Sequence, residues 1–313
     1  MSGPDLVGER VTGGEAPDGA RGPGGTGQLD IKRRSPARLA LGRFLKNRAA
    51  VAGVLFLFLL ILVSVFAPWL TPHSPTTVSL EHYRQPPTGV HWLGTDAAGR
   101  DVLSRLLHAG RVSLLVGFAA ASGAGVVGLV LGTLAGTLGG RVDGVIMRTA
   151  DVMLSFPTLV IVLVFAGIVG PGLPTIIVAL ALFEWPTGSR VVRGLTLSLR
   201  EREFIQAARA IGSSELRVMV RHIAPAVLPP LAVVVTLLVA QAILIESALS
   251  FLGFGVQPPT ASWGNMLTDA QSLTILSRMP WLWLPPGLLI ALTVLAVNFV
   301  GDGLRDAVDP SQT

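Results

Sequence analysis

The apolar residues of this chain gather in long uninterrupted blocks, not at the alternate positions of a half-buried strand. Ala49–Ala67 carries no charge and is long enough to cross a bilayer at 1.5 Å per residue. Similar blocks at Val112–Gly139, Val152–Gly170, Leu173–Ser189, Ala226–Ile245 and Trp281–Val300 predict five further spans. Leu173–Ser189 is the weakest of these, being short and holding Glu184 and Pro186. The pattern therefore predicts an all-α polytopic membrane protein with about six transmembrane helices.

The distribution of basic residues supports the fourth span. With the N-terminus inside, 19 of the 24 Lys and Arg fall on inner segments: nine before Ala49, two at 141–148, seven at 190–221, and Arg305. Arg84, Arg100, Arg105, Arg111 and Arg278 fall outside. An excess of Lys and Arg on cytoplasmic loops is the positive-inside rule. Removing the fourth span would place the seven arginines of 190–221 outside, so six spans with both termini in the cytoplasm are expected. The first span is read as an uncleaved anchor, because a fifty-residue preamble and the lack of a small-x-small site near Val65–Ala67 do not suit a signal peptide.

Composition agrees with this picture. Only 14% of the 313 residues are charged, against about a quarter in a typical soluble chain, and mean hydropathy is +0.63. Residues 1–30 are rich in Gly and Pro and are expected to be disordered. Seven basic residues and no acid follow at 32–48. The organisation expected is a disordered basic cytoplasmic tail at 1–48 and a first span with an external loop at 49–111. A core with a cytoplasmic loop at 190–225 occupies 112–305, and a short tail 306–313. The absence of cysteine excludes thiol chemistry, and no soluble basic domain gathers the net charge of +5 for nucleic acid.

Small residues recur at every fourth position in the second span: Ala120, Ala124, Gly128, Gly132, Gly136 and Gly140. Such a stripe lets helix backbones approach closely, either inside this bundle or against a partner subunit. Prolines at 157, 229, 230, 285 and 286 mark places where a helix can kink. Gln241 and Glu246 lie toward the outer end of the fifth span. A polar group there suggests a transport pathway, or for Glu246 simple solvation near the interface. Glu184 and Asp151 are expected to be interfacial. Asp96, Arg100, Asp101 and Arg105 precede the second span, where they could form an outer-face site that receives substrate, or an i,i+4 pair such as Asp101–Arg105 would simply neutralise a short helix. The five histidines (73, 82, 91, 108 and 222) show no ligand spacing, so no metal site is expected.

The stretch Ser198–Pro225 is not a span. Ser198 followed by Glu201 forms a capping-box pattern that would start a helix. Phe204, Ala208 and Ile211 then fall on one stripe, with Arg200, Arg202 and Arg209 elsewhere. Gly212 suits a C-terminal cap, and Ser213 or Ser214 could open a second helix. Such an element either lies in the lipid headgroups or docks into a groove of another protein.

The run QAARAIG, nine residues, then HIAP resembles the cytoplasmic signature of ABC importer permeases, in which Glu-Ala-Ala and a Gly are followed by Ile-x-Leu-Pro. Ala207, Ala208, Gly212 and Pro225 match; Gln206 stands for the usual Glu, His222 for Ile and Ala224 for Leu. Residues 91–114, 246–267 and 298–310 resemble the C-type permeases of dipeptide, oligopeptide and nickel importers. The resemblance implies a type I importer permease core whose loop, with Phe204, Gln206, Ala207, Ala208, Gly212 and Pro225, grips an ATPase subunit. It also implies a second permease, two ATP-binding subunits that hold ATP and Mg, and an extracytoplasmic binding protein, all at the inner membrane. The chain itself has no P-loop and no nucleophile–base set, so it is not expected to be an enzyme. A stand-alone secondary transporter is the alternative, although internal repeats and charged midplane sites are not evident. Dipeptides, oligopeptides and nickel chelates all remain open as cargo.

Overall fold

The computed structural model describes residues 36–308. The expected disorder of residues 1–30 and the bases Lys32, Arg33 and Arg34 lie outside that range. Among the described residues the chain is helical, without a β-strand.

Helix α1 (Pro36–Phe44) falls within the stretch expected to be a disordered tail. Phe44 helps to hold it, packing where a side chain on Gly303 would stand. Helix α2 (Arg48–Val65) starts at Asn47, whose side chain accepts the Ala50 amide at 3.1 Å. A single turn, α3 (Ala67–Leu70), follows. After an irregular loop, α4 runs from Val102 to Leu138, beginning ten residues before the apolar block. The Asp101 carboxylate accepts the Ser104 amide at 2.7 Å and so caps that earlier start.

The third predicted span is broken. Helix α5 (Gly140–Leu154) and helix α6 (Thr158–Val169) meet at 89°. Pro157 lies at the break, and a proline cannot donate the amide that would continue the α5 ladder. The 12 residues of α6 extend only about 18 Å, short of a hydrocarbon core of about 30 Å. Five helices are therefore long and apolar enough to cross alone, or six if the bent pair is one crossing.

Helix α7 (Leu173–Arg200) keeps Pro186 in its interior. Two short helices, α8 (Glu203–Ala210) and α9 (Glu215–Val218), lead to a π-turn at Met219–Ile223 and then to α10 (Ala224–Phe251). Pro225 supplies the reason for the π-turn: it has no N–H for the carbonyl four residues back, and the Ala224 amide bonds Met219 instead. Helices α11 (Trp263–Met266), α12 (Leu273–Arg278) and α13 (Pro280–Val308) complete the chain.

The small-residue stripe works inside this bundle. A Cβ on Gly128 would stand 3.0 Å from the Ser189 amide nitrogen, and one on Gly132 only 2.6 Å from the Ser189 carbonyl oxygen. Gly136 is likewise closed off by Thr196 at 2.6 Å. Helix α4 thus lies against α7 with almost no side chain between the two backbones, as expected where helices gain little from apolar association in lipid. On another face, Gly117 and Gly125 admit Ile243 and Val235 of α10. Of the stripe, Gly140 alone is open to the surface.

Candidate functional site

The loop between α7 and α10 is built from the end of a span outward. Ser198 does not open a helix there. It sits in the last turns of α7, which runs on to Arg200, and the break comes at Glu201–Arg202. Helix α8 has Arg202 at its N-cap, with no side-chain cap bond. A helix already propagating gains a hydrogen bond per residue, so a local capping pattern need not interrupt it.

The expected apolar stripe divides. Ala208 turns inward beside Ile205, which is fully buried with Val192, Val218 and Ile223. Phe204 and Ile211 turn outward, 52% and 84% exposed, together with Leu216 and Val220. The inward line is thus 205–208 rather than 204–208–211, because α8 leans on the chain's own α7 and α10. Gln206, Ala207, Gly212 and Pro225 are all on the surface. The Gln206 side-chain amide donates to the Glu201 carbonyl at 3.3 Å.

Gly212 ends α8 as predicted. Its φ is +88°, its amide reaches Arg209 at 2.9 Å, and the Ser213 amide reaches Ala208 at 3.1 Å. Those two bonds make a Schellman motif, which requires the left-handed backbone that glycine adopts freely. Ser214 then caps α9 by accepting the Arg217 amide at 3.4 Å, and Arg209 bridges the turn to Glu215 at 2.9 Å. The outcome is a short, rigidly terminated helix presenting Phe204 and Ile211 outward.

Gln241 and Glu246, paired above as pathway candidates, sit in different surroundings. Gln241 is exposed on α10. Glu246 is fully buried, so the solvated reading is wrong. Its carboxylate accepts the Ser250 hydroxyl at 2.7 Å and the Ser113 hydroxyl at 3.3 Å. Glu184 is not interfacial either. It lies mid-way along α7, 4% exposed, and neither of its carboxylate oxygens has a hydrogen-bond partner. Asp151 is exposed and bridged to Arg190 at 2.5 Å.

The loop before α4 is organised by ion pairs that differ from the expected one. Asp101 caps α4 and meets His91, leaving Arg105 to pair with Asp96 at 3.3 Å; Arg100 joins the same carboxylate at 2.8 Å. Burial, and then the nearby Asp96 carboxylate, raise the Asp269 carboxyl above the usual range. Linear spacing also missed a histidine cluster. The His91 ring lies 4.7 Å from that of His73 and 5.2 Å from that of His82.

Comparison with known proteins points one way. Residues 128–313 match the family model described as binding-protein-dependent transport system inner membrane component. Residues 35–87 match the N-terminal membrane domain of oligopeptide transport permease C. A Brucella suis protein named as a peptide permease is 44% identical over 284 residues, covering 91% of this chain and 94% of its own length. A dipeptide transport system permease protein of Alkalihalophilus pseudofirmus is 42% identical, covering 88% and 90%. Among solved structures, the inward-facing MetNI methionine ABC transporter aligns with TM-score 0.53 over 66% of this chain and 97% of its own. At 19% identity it speaks for the fold.

Proposed function

Because this chain belongs to the binding-protein-dependent transport inner-membrane components, we propose that it is the peptide-transporting permease subunit of an ATP-driven importer. The observation that carries the reading is 44% identity to a relative named as a peptide permease, sustained across nine-tenths of both chains. A stand-alone secondary transporter does not fit that kinship.

The finer parts of the reading rest on the geometry. Phe204 and Ile211 give an ATP-binding subunit an apolar grip, while Gln206 and Ala207 lie on the exposed flank of the same helix. Ala208, Gly212 and Pro225 shape the element: one seats it, one ends it, and one sets the π-turn that leads into α10. ATP and Mg belong to two partner subunits, since no P-loop exists here. A second permease completes the pathway, and Gln241, exposed on α10, is the candidate to line it. An extracytoplasmic binding protein delivers the peptide. With the bent pair α5–α6 as the sixth crossing, both termini lie in the cytoplasm.

Reconstitution tests this. The chain alone in proteoliposomes is expected to accumulate no peptide, with or without ATP or an ion gradient. The complete complex with its binding protein is expected to accumulate peptide only with ATP. Gradient-driven uptake by the chain alone would overturn the proposal.

A further inference from the structure

The irregular loop from Thr71 to Asp101 carries a side-chain cluster to which the proposed function gives no role. One ligand atom each from His73, His91 and Asp101 lies within 4.8 Å of the others, with His91 and Asp101 buried. The same three residues line a cleft of about 370 Å³, to which His82 also contributes.

We infer that His73, His91 and Asp101 form a binding site for a divalent transition-metal ion of the zinc class, which staples this loop to the start of α4. Two imidazoles and one carboxylate are the ligand types such an ion accepts, and a fourth position stays open for water. Ligands about 2.0–2.2 Å from one ion stand about 3.3–3.6 Å from each other at tetrahedral angles. His91 Nδ1 and Asp101 Oδ2, 2.9 Å apart as a hydrogen-bonded pair, need to part by only about 0.5 Å to reach that edge. His73 would have to approach by on the order of 1–2 Å, and it is the partly exposed member of the three.

The surroundings hold these groups in place. The other oxygen of Asp101 accepts the Ser104 amide at 2.7 Å, so the carboxylate is aimed by the first turn of α4. The Ser104 hydroxyl donates to the His73 carbonyl at 2.7 Å, and the Thr88 hydroxyl accepts the His91 amide at 3.0 Å. His73 Nε2 lies 3.2 Å from the Val90 carbonyl oxygen. Donating there fixes the tautomer that leaves Nδ1 with its lone pair for a metal. Such outer bonds are what orient ligands in metal sites.

The full chain, purified in detergent and stripped with a chelator, provides the test. It is expected to bind one Zn²⁺ per chain by elemental analysis, and Co²⁺ titration should give visible d–d bands. His73→Ala and His91→Ala should each weaken Co²⁺ binding by tenfold or more, while His222→Ala, on the π-turn, should not. Asp101→Asn, which keeps a cap oxygen for α4 but withdraws the charge, should weaken it too. Zn²⁺ should slow tryptic cleavage at Arg84 in the wild type and leave the His91→Ala rate unchanged. The inference is overturned if the stripped wild-type chain binds neither ion, or if both histidine variants bind as the wild type does.

Discussion

The Ser113 hydroxyl donates to the buried Glu246 carboxylate at 3.3 Å, and the same oxygen accepts the Trp263 amide at 3.1 Å. Helices α4, α10 and α11 are thereby joined through one serine. A buried carboxylate is costly unless its oxygens are satisfied, and here Ser250 completes the arrangement at 2.7 Å. Glu246→Ala should leave these hydroxyls unpaired in the core, costing about 1–3 kcal/mol. A lowered thermal midpoint for the detergent-purified protein would register it. Glu246→Gln, which still accepts through one oxygen, should lose less. Equal midpoints for Glu246→Ala and the wild type would show that the cluster does not hold the helices together.

The α4–α7 contact leaves no room at Gly132. Its Cβ would fall 2.6 Å from the Ser189 carbonyl oxygen and 2.7 Å from the Val192 Cβ. Because one of those atoms is backbone, Gly132→Ala should force the helices apart and cost about 1–3 kcal/mol. Gly144→Ala, with nothing within 4 Å of the new methyl, should be neutral or stabilising by up to about 1 kcal/mol. The comparison of the two thermal midpoints separates close packing from helix propensity.

What could be read from the sequence follows from the range of the interactions involved. Long apolar blocks need only the bilayer to become helices, so the spans were visible, as was Gly212, whose cap is formed by its immediate neighbours. Breaks and extensions were less visible. Pro157 marks a possible kink in the sequence, but its 89° consequence depends on where α5 comes to rest. The early start of α4 depends on Asp101, which i,i+4 spacing alone pairs with Arg105. The histidine cluster draws residues 18 and 10 positions apart, along an irregular loop, onto one helix start, and no periodicity encodes that. Glu246 looked interfacial because its sequence neighbours do not show that Ser113 lies opposite.

The basic asymmetry makes the topology testable with single cysteines, and the absence of native cysteine removes background. Thr77, Thr260 and Ser214 are all exposed. In intact cells, cysteines at Thr77 and Thr260 should react with an impermeant thiol reagent. One at Ser214 should react only after the membrane is opened. Labelling of Ser214→Cys in intact cells would mean that the bent pair α5–α6 does not cross.

The loop between α7 and α10 allows contact to be separated from shape. Ile211 is 84% exposed and Phe204 52%, so aspartate at either place costs the isolated chain little. In a groove on an ATP-binding subunit, however, that charge would have to be desolvated. Ile211→Asp and Phe204→Asp should therefore reach the membrane with normal thermal midpoints. They should then lose the substrate-stimulated ATPase activity of the assembled complex. Ala208→Asp acts differently, because Ala208 is seated against the chain itself and the charge would unseat α8 before any partner arrives. Gly212→Val places a β-branched residue at φ +88°, where its Cβ meets backbone, and should loosen the turn in the same way. A lowered midpoint or faster proteolysis at Arg209 should accompany lost coupling in Ala208→Asp and Gly212→Val, and be absent in Ile211→Asp and Phe204→Asp. Full coupling in both exposed-site variants within an assembled complex would place the ATPase contact elsewhere and leave α8 as a helix lying among lipid headgroups.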